Sequence, residues 1–321
     1  MIPLPPAKFA IGLALLLVPV VTWAQPSAFA INSRGFGAEE DIFVLWRVDL
    51  SSGRTERIGP IDPFIDMEGL ALAPDGTLYG ADDESKTLVT VNTNSGFSQP
   101  VGGLHNNMGL PLAQPMDFGM TFTCSGDLLV SSDTEQSLFR ASLETGRLER
   151  LGEPGSLGAP ITDIAGYGGS LYGIGQGLAG ADGAFTTDAP NLYRIDLDAA
   201  TAEFIGALGE AVLPYANAGL AFDAQGRLWA ITDRRKNGVP GIRSEILEID
   251  LETGAARKSA DAEHVGFESL AIVPPGGCDA RAGIEREEGP PKIPTNNWAG
   301  LAILAFVLLI TSSWTLVLRQ R

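Results

Sequence analysis

Histidine and cysteine are nearly absent from this chain, whose 321 residues include two of each. His105 and His264 are far apart, as are Cys124 and Cys278. A zinc centre of His/Cys type therefore lacks ligands. No Gly-x-Ser-x-Gly occurs, and neither histidine stands with a Ser or Cys in a nucleophile motif, which argues against nucleophilic hydrolysis. Basic charge is scarce as well: 22 Lys and Arg face 39 Asp and Glu. Residues 25–297 keep every acidic residue and 19 of the basic ones, a formal charge of −20. Nucleic acid and anionic membrane surfaces are excluded as partners by that sign. With 45% hydrophobic residues the chain is too apolar for disorder, and its 39 glycines and 21 prolines follow no triplet period, which excludes collagen.

Long apolar runs are confined to the two ends. Residues 1–24 read as a secretory signal: Lys8 is the charge, residues 9–21 the apolar stretch, and Thr22-Trp23-Ala24 a small-residue cleavage site. A second site after Ala28-Phe29-Ala30 would remove a strand that the repeat pattern requires, so cleavage after Ala24 is preferred. Residues 298–318 form an uncharged run of about 31 Å as a helix, enough to span a bilayer. Trp298 and Trp314 lie toward its ends, and Arg319-Gln320-Arg321 follow, placing that end in the cytoplasm and the rest outside. A transmembrane helix is thus expected over 298–321, preceded by a polar stalk over 279–297 rich in Gly, Pro and Glu.

Ile293-Pro294-Thr295, then Trp298-Ala299-Gly300, an apolar helix and a basic end resemble the IPTL-CTERM sorting signals, relatives of the PEP-CTERM signals of Gram-negative bacteria. Asn296 and Ala299 depart from the usual pattern, which has Leu after Thr and an adjacent Trp-Gly. The resemblance covers about the last thirty residues and implies export, inner-membrane anchoring and processing by an exosortase-type protease, with passage to the cell surface or matrix.

Between the ends one unit recurs five times. Trp46-Arg-Val-Asp-Leu-Ser-Ser-Gly53 has counterparts ending at Gly96, Gly146, Thr201 and Gly254. Period-two alternation running into Ser-Gly or Thr-Gly signals a hairpin. A second series, Gly69-Leu-Ala-Leu-Ala-Pro-Asp-Gly76 and its counterparts, places turn glycines at 76, 126, 169, 226 and 276. Four short strands in each repeat of this length predict propeller blades. The last copy has only a first strand, residues 268–273, and the N-terminal portion supplies the other three, 28–32, 41–50 and 55–58. The expected fold is an all-β, five-bladed propeller over residues 26–278, closed by both chain ends, which removes exposed sheet edges. The blade consensus resembles the NHL and gluconolactonase-like propellers, a likeness that carries architecture and not activity.

Chemistry is expected where first strands begin at the channel mouth: Glu68, Asp117, Asp163, Asn217 and Glu268. Such oxygen ligands could hold Ca²⁺ or another divalent cation, and the gluconolactonase resemblance implies Glu, Asn and Asp around an axial metal. The bland alternative is polar residues solvating a wet channel. Glu68 and Glu268 share one alignment position, whereas Asp117 and Asn217 sit one residue earlier, which alternation would turn to the other face. Asp83, Asp133 and Asp233, each seven residues after a turn glycine, are expected to accept backbone N–H bonds. Loops 180–188 and 234–244 are natural partner contacts. Cys124 and Cys278 form an even pair that export would allow to oxidise, provided the chain after 273 can bring them within reach.

Two functions compete: a non-catalytic surface or matrix module that binds protein or glycan without a cofactor, and a metal-dependent hydrolase of lactonase type using the channel-mouth carboxylates. The absence of a complete catalytic set favours the first.

Overall fold

The computed structural model describes residues 26–33, 42–176, 190–209, 212, 215–233 and 242–273. The signal segment, the stalk, the sorting motif (Ile293, Pro294, Thr295, Trp298, Gly300), the helix expected over 298–321 and Cys278 lie outside the described residues. Among the described residues there are twenty strands and no helix.

The strands form five four-stranded antiparallel sheets. The first blade comprises β1 (Ser27–Asn32), β2 (Val44–Asp49), β3 (Thr55–Pro60) and, innermost, β20 (Ala271–Val273). The second runs from β4 (Met67–Leu72) through β5 (Leu78–Asp82) and β6 (Thr87–Val91) to β7 (Ser98–Pro100). The third holds β8 (Phe118–Phe122), β9 (Leu128–Ser132), β10 (Ser137–Ala141) and β11 (Leu148–Leu151). The fourth holds β12 (Ile161–Tyr167), β13 (Ser170–Gly175), β14 (Asn191–Asp196) and β15 (Thr201–Ala207). The fifth holds β16 (Asn217–Phe222), β17 (Leu228–Asp233), β18 (Glu245–Ile249) and β19 (Ala256–Asp261).

Both chain ends build the first blade: Ser27 pairs with Val273, Ala28 with Ile272 and Phe29 with Ala271. The closing strand is shorter than the sequence pattern suggests. Residues 268–270 leave the ladder, one isolated bridge joins Asn32 to Phe267, and the Ser269 hydroxyl accepts the Ile31 N–H at 3.3 Å. A side chain thus replaces a backbone partner.

The inner strands bury both faces, so alternation assigns neighbouring residues to different cores. Leu128 and Val130 face the second blade, while Leu129 between them faces the fourth. Five apolar clusters result, each shared by two adjacent blades. Ile31 and Leu45 meet Leu70 and Val89; Leu88 meets Phe118; Leu138 meets Ile164. Ile174 meets Leu220, and Ile231 meets Trp46 across the seam between fifth and first blades. Each fully buried Leu or Ile contributes about 1.5–3 kcal/mol.

At the rim, the turn between third and outermost strands docks on the backbone of the preceding blade. A Cβ on Gly96 would stand 2.4 Å from the Gly59 carbonyl oxygen, and one on Gly254 2.6 Å from that of Gly206. Both glycines also have positive φ, 80° and 75°. In the fourth blade Ala200, with φ 51°, takes the turn position and docks on Gly152, so only the glycine of the preceding blade is kept.

These contacts separate two costs. Gly76 has φ 87° with open space around its Cβ position, so Gly76→Ala is expected to lose about 1–2 kcal/mol from left-handed strain alone. Gly254→Ala adds a backbone collision and should lose clearly more. Equal denaturant midpoints for the two variants would show that the rim contact does not hold the blades.

Candidate functional site at the channel mouth

The inner strands begin at one end of the axis, and four of the five expected residues gather there. Glu68 occupies a bulge in β4, where pairing jumps from Met67 with Asp82 to Gly69 with Ala81. The extra residue shifts the phase of alternation. Asn217, expected to point elsewhere, therefore meets Glu68: its Nδ2 donates to Glu68 Oε2 at 3.0 Å, linking the fifth blade to the second. Glu268 is buried and Asp117 half-buried. Enclosure pushes the Glu68 carboxyl well above the usual carboxylate range, with the charges of Glu268, Asp117, Asp66 and Asp83 adding to the effect.

Asp163 plays a different part. Its Oδ1 accepts from the Met120 N–H at 2.9 Å and its neighbour Ile164 at 2.8 Å, and its Oδ2 accepts from Leu220 at 2.5 Å. It ties β12 to β8 and β16. Burial raises its pKa well above the ordinary value, against these three N–H donors, which favour the charged form. Asn217 Oδ1 is similarly occupied by the Ala218 N–H at 2.8 Å.

Among the described residues no three His, Cys, Asp or Glu side chains form a group able to hold a metal ion. Both oxygens of Asp163 and the Oδ1 of Asn217 thus already carry backbone N–H partners.

Beside Asp83 and Asp133, three residues not singled out in the sequence matter as much: Asp66, Asp82 and Lys86. Asp82 accepts from the Ile65 and Asp66 N–H groups at 3.2 and 3.0 Å and from Ser85 N–H at 2.9 Å. Asp83 accepts from Met116 N–H at 3.0 Å and pairs with Lys86, a fully buried cation over the Phe118 ring. Lys86 has φ 49°, and Gln136, at the same place in the third blade, has φ 44°. One turn geometry thus carries a cation in one blade and an amide in the next. Asp133 accepts from Asp117 N–H at 2.9 Å. Asp66 is pushed up to about 6, first by burial and then by Asp83, Asp82 and Glu84, with Lys86 opposing.

His105 is exposed with φ 52°. His264 stacks on Trp46 with ring centroids 4.2 Å apart and serves the seam. Cys124 is exposed at the opposite end, beyond β8. Loop residues 177–189 and 234–241 lie outside the described residues.

No family model matches this chain. No curated protein matches it either. Solved structures of similar course include virginiamycin B lyase from Staphylococcus aureus, 14% identical, covering 67% of this chain and 62% of that one, TM-score 0.38. A gluconolactonase from Xanthomonas campestris is 14% identical over 74% of this chain and 75% of that one, TM-score 0.40. The calcium-binding protein regucalcin from Agrobacterium tumefaciens is 16% identical over 71% and 70%, TM-score 0.40. Likeness at this level concerns the fold alone.

The acidic mouth sets a pH dependence. Asp66 binds its proton more tightly in the fold, about 6 against an ordinary 3.8, so its contribution is complete below 3.8 and lost as pH rises through 6. Asp75, Asp250 and Glu263 are held low by Thr77, Thr253 and Thr55, so their contributions are lost as pH falls below the ordinary range. Tm should peak on the acid side of neutrality, and Asp66→Asn should raise Tm at pH 7 while flattening the decline between pH 4 and 7. A parallel profile for parent and variant would exclude Asp66 as the source.

Proposed function

We propose that this chain is an exported β-propeller, anchored and sorted through its C-terminal segment, that serves as a non-catalytic binding module for protein or glycan at the cell surface or in the matrix. The non-catalytic part is supported by one observation: of the five residues offered as oxygen ligands, Asp163 and Asn217 already serve the amides of Met120, Ile164, Leu220 and Ala218. Anchoring is supported by the uncharged run 298–318 with Arg319 and Arg321 behind it. Sorting by an exosortase-type protease is supported by the motif around Pro294 and Thr295.

Deleting residues 293–321 should release a folded ectodomain into the periplasm or medium. A truncated protein that stays in the membrane fraction on carbonate extraction would refute the anchor.

Chelation separates this reading from the metal-dependent hydrolase of lactonase type. A bound ion would stabilise the fold by about 2.7 kcal/mol at a hundredfold excess over its dissociation constant. We expect EDTA to leave Tm unchanged, and Glu68→Gln/Glu268→Gln to melt no lower than the parent, because two like charges no longer oppose each other. A chelator-sensitive melt that the double variant abolishes would favour the hydrolase.

A further inference from the structure

The fourth blade departs from the other four at the face opposite the mouth, and two departures fall in line. At the end of the inner strand the other blades place Leu72, Phe122, Phe222 and Ile272, whereas the fourth has Gly166. Its first hairpin is closed by two residues, Gly168 and Gly169 with φ 56° and 81°, where β4–β5, β8–β9 and β16–β17 use five. A missing side chain and a shortened turn both remove bulk from the same radius.

Three cavities follow that radius and share walls. An apolar pit of about 50 Å³ on the axis is lined by Leu72, Phe122, Phe222, Ile272 and Gly166. Gly166 also lines a second, of about 30 Å³, between Cys124, Leu129, Tyr167 and Leu197. Gly169, Ser170 and Leu197 pass into a third, of about 690 Å³, which opens toward the rim between Arg194, Asp196, Asp198 and Glu203. Apolar walls at the axis thus give way to a rim with three carboxylates and one guanidinium. Three strand spacings separate β12 from β15, about 14 Å, which four or five extended residues cover.

We propose that this trough binds an extended peptide segment of a partner protein, an apolar side chain entering toward the axial pit and Lys or Arg meeting Asp198 and Glu203 at the rim. Charge selects this occupant. The rim is net negative, as is the whole domain, so a second copy of this chain is repelled. A neutral glycan would cover these exposed carboxylates without supplying a counter-charge. The proposal rests on the binding-module reading and specifies its surface and partner chemistry.

The test pans phage-displayed random dodecapeptides against the full-length protein in detergent, then measures selected peptides on parent, Asp198→Lys/Glu203→Lys and Ser170→Trp. Asp198 and Glu203 are exposed, so the charge-reversed variant should melt like the parent. Enriched peptides should combine apolar residues with an excess of Lys and Arg, and should bind each variant about tenfold more weakly, a loss of about 1.4 kcal/mol. Neutral or acidic peptides, or peptides that bind the variants as tightly as the parent, would overturn the trough and leave a binding module with another surface. Binding on a neutral glycan array without peptide enrichment would do the same. Failure to enrich any peptide or glycan would overturn both.

Discussion

The innermost strand of every blade has a ladder partner on one side only, and its other edge faces the axis. Backbone N–H groups on that edge are buried without a sheet neighbour, and leaving one unsatisfied costs about 1–3 kcal/mol. Side chains from adjacent inner strands supply the acceptors. Asp163 serves Met120 and Leu220 in the blades on either side, and the Thr121 hydroxyl serves Gly166 at 3.0 Å. The polar residues of the axis are thus largely a substitute for a missing strand. They join neighbouring blades at the axis.

That arrangement concentrates acid. Asp66, Asp82, Asp83 and Glu84 crowd one turn region, and Lys86 is placed among them without solvent contact. The cation lies over Phe118 of the next blade, so its stem completes an apolar interface while its head answers the carboxylates. Electrostatics and packing share one side chain, which explains a buried lysine where the third blade needs only Gln136.

The architecture was legible because the unit recurs: turn glycines and period-two alternation mark most first and last hairpins of the blades, and complementary half-units at the two ends imply closure. The mouth was less legible. Period-two counting put Glu68 and Asn217 on different faces, and a bulge with no sequence mark of its own brought them together. Asp163 stood in the motif position of a ligand, and its side-chain bonds to β8 and β16 make it a clamp, a part that free strand edges do not reveal in one dimension. The trough of the fourth blade was written as Gly166 and Gly168-Gly169, but a glycine reads as a turn until its counterparts in four other blades are superposed.

Closure by both ends has a mechanical side. Only three residue pairs join β20 to β1, and the chain continues directly from Val273 toward the rest of the protein. Tension applied beyond that residue falls on this short ladder before any other, and pulling it away opens the ring at the seam while four complete blades remain sheeted. The same geometry orders synthesis. Until residue 273 has emerged, the domain is an open horseshoe whose first blade shows a raw edge. A chain that emerges in order can lock its ring only as residues 271–273 arrive.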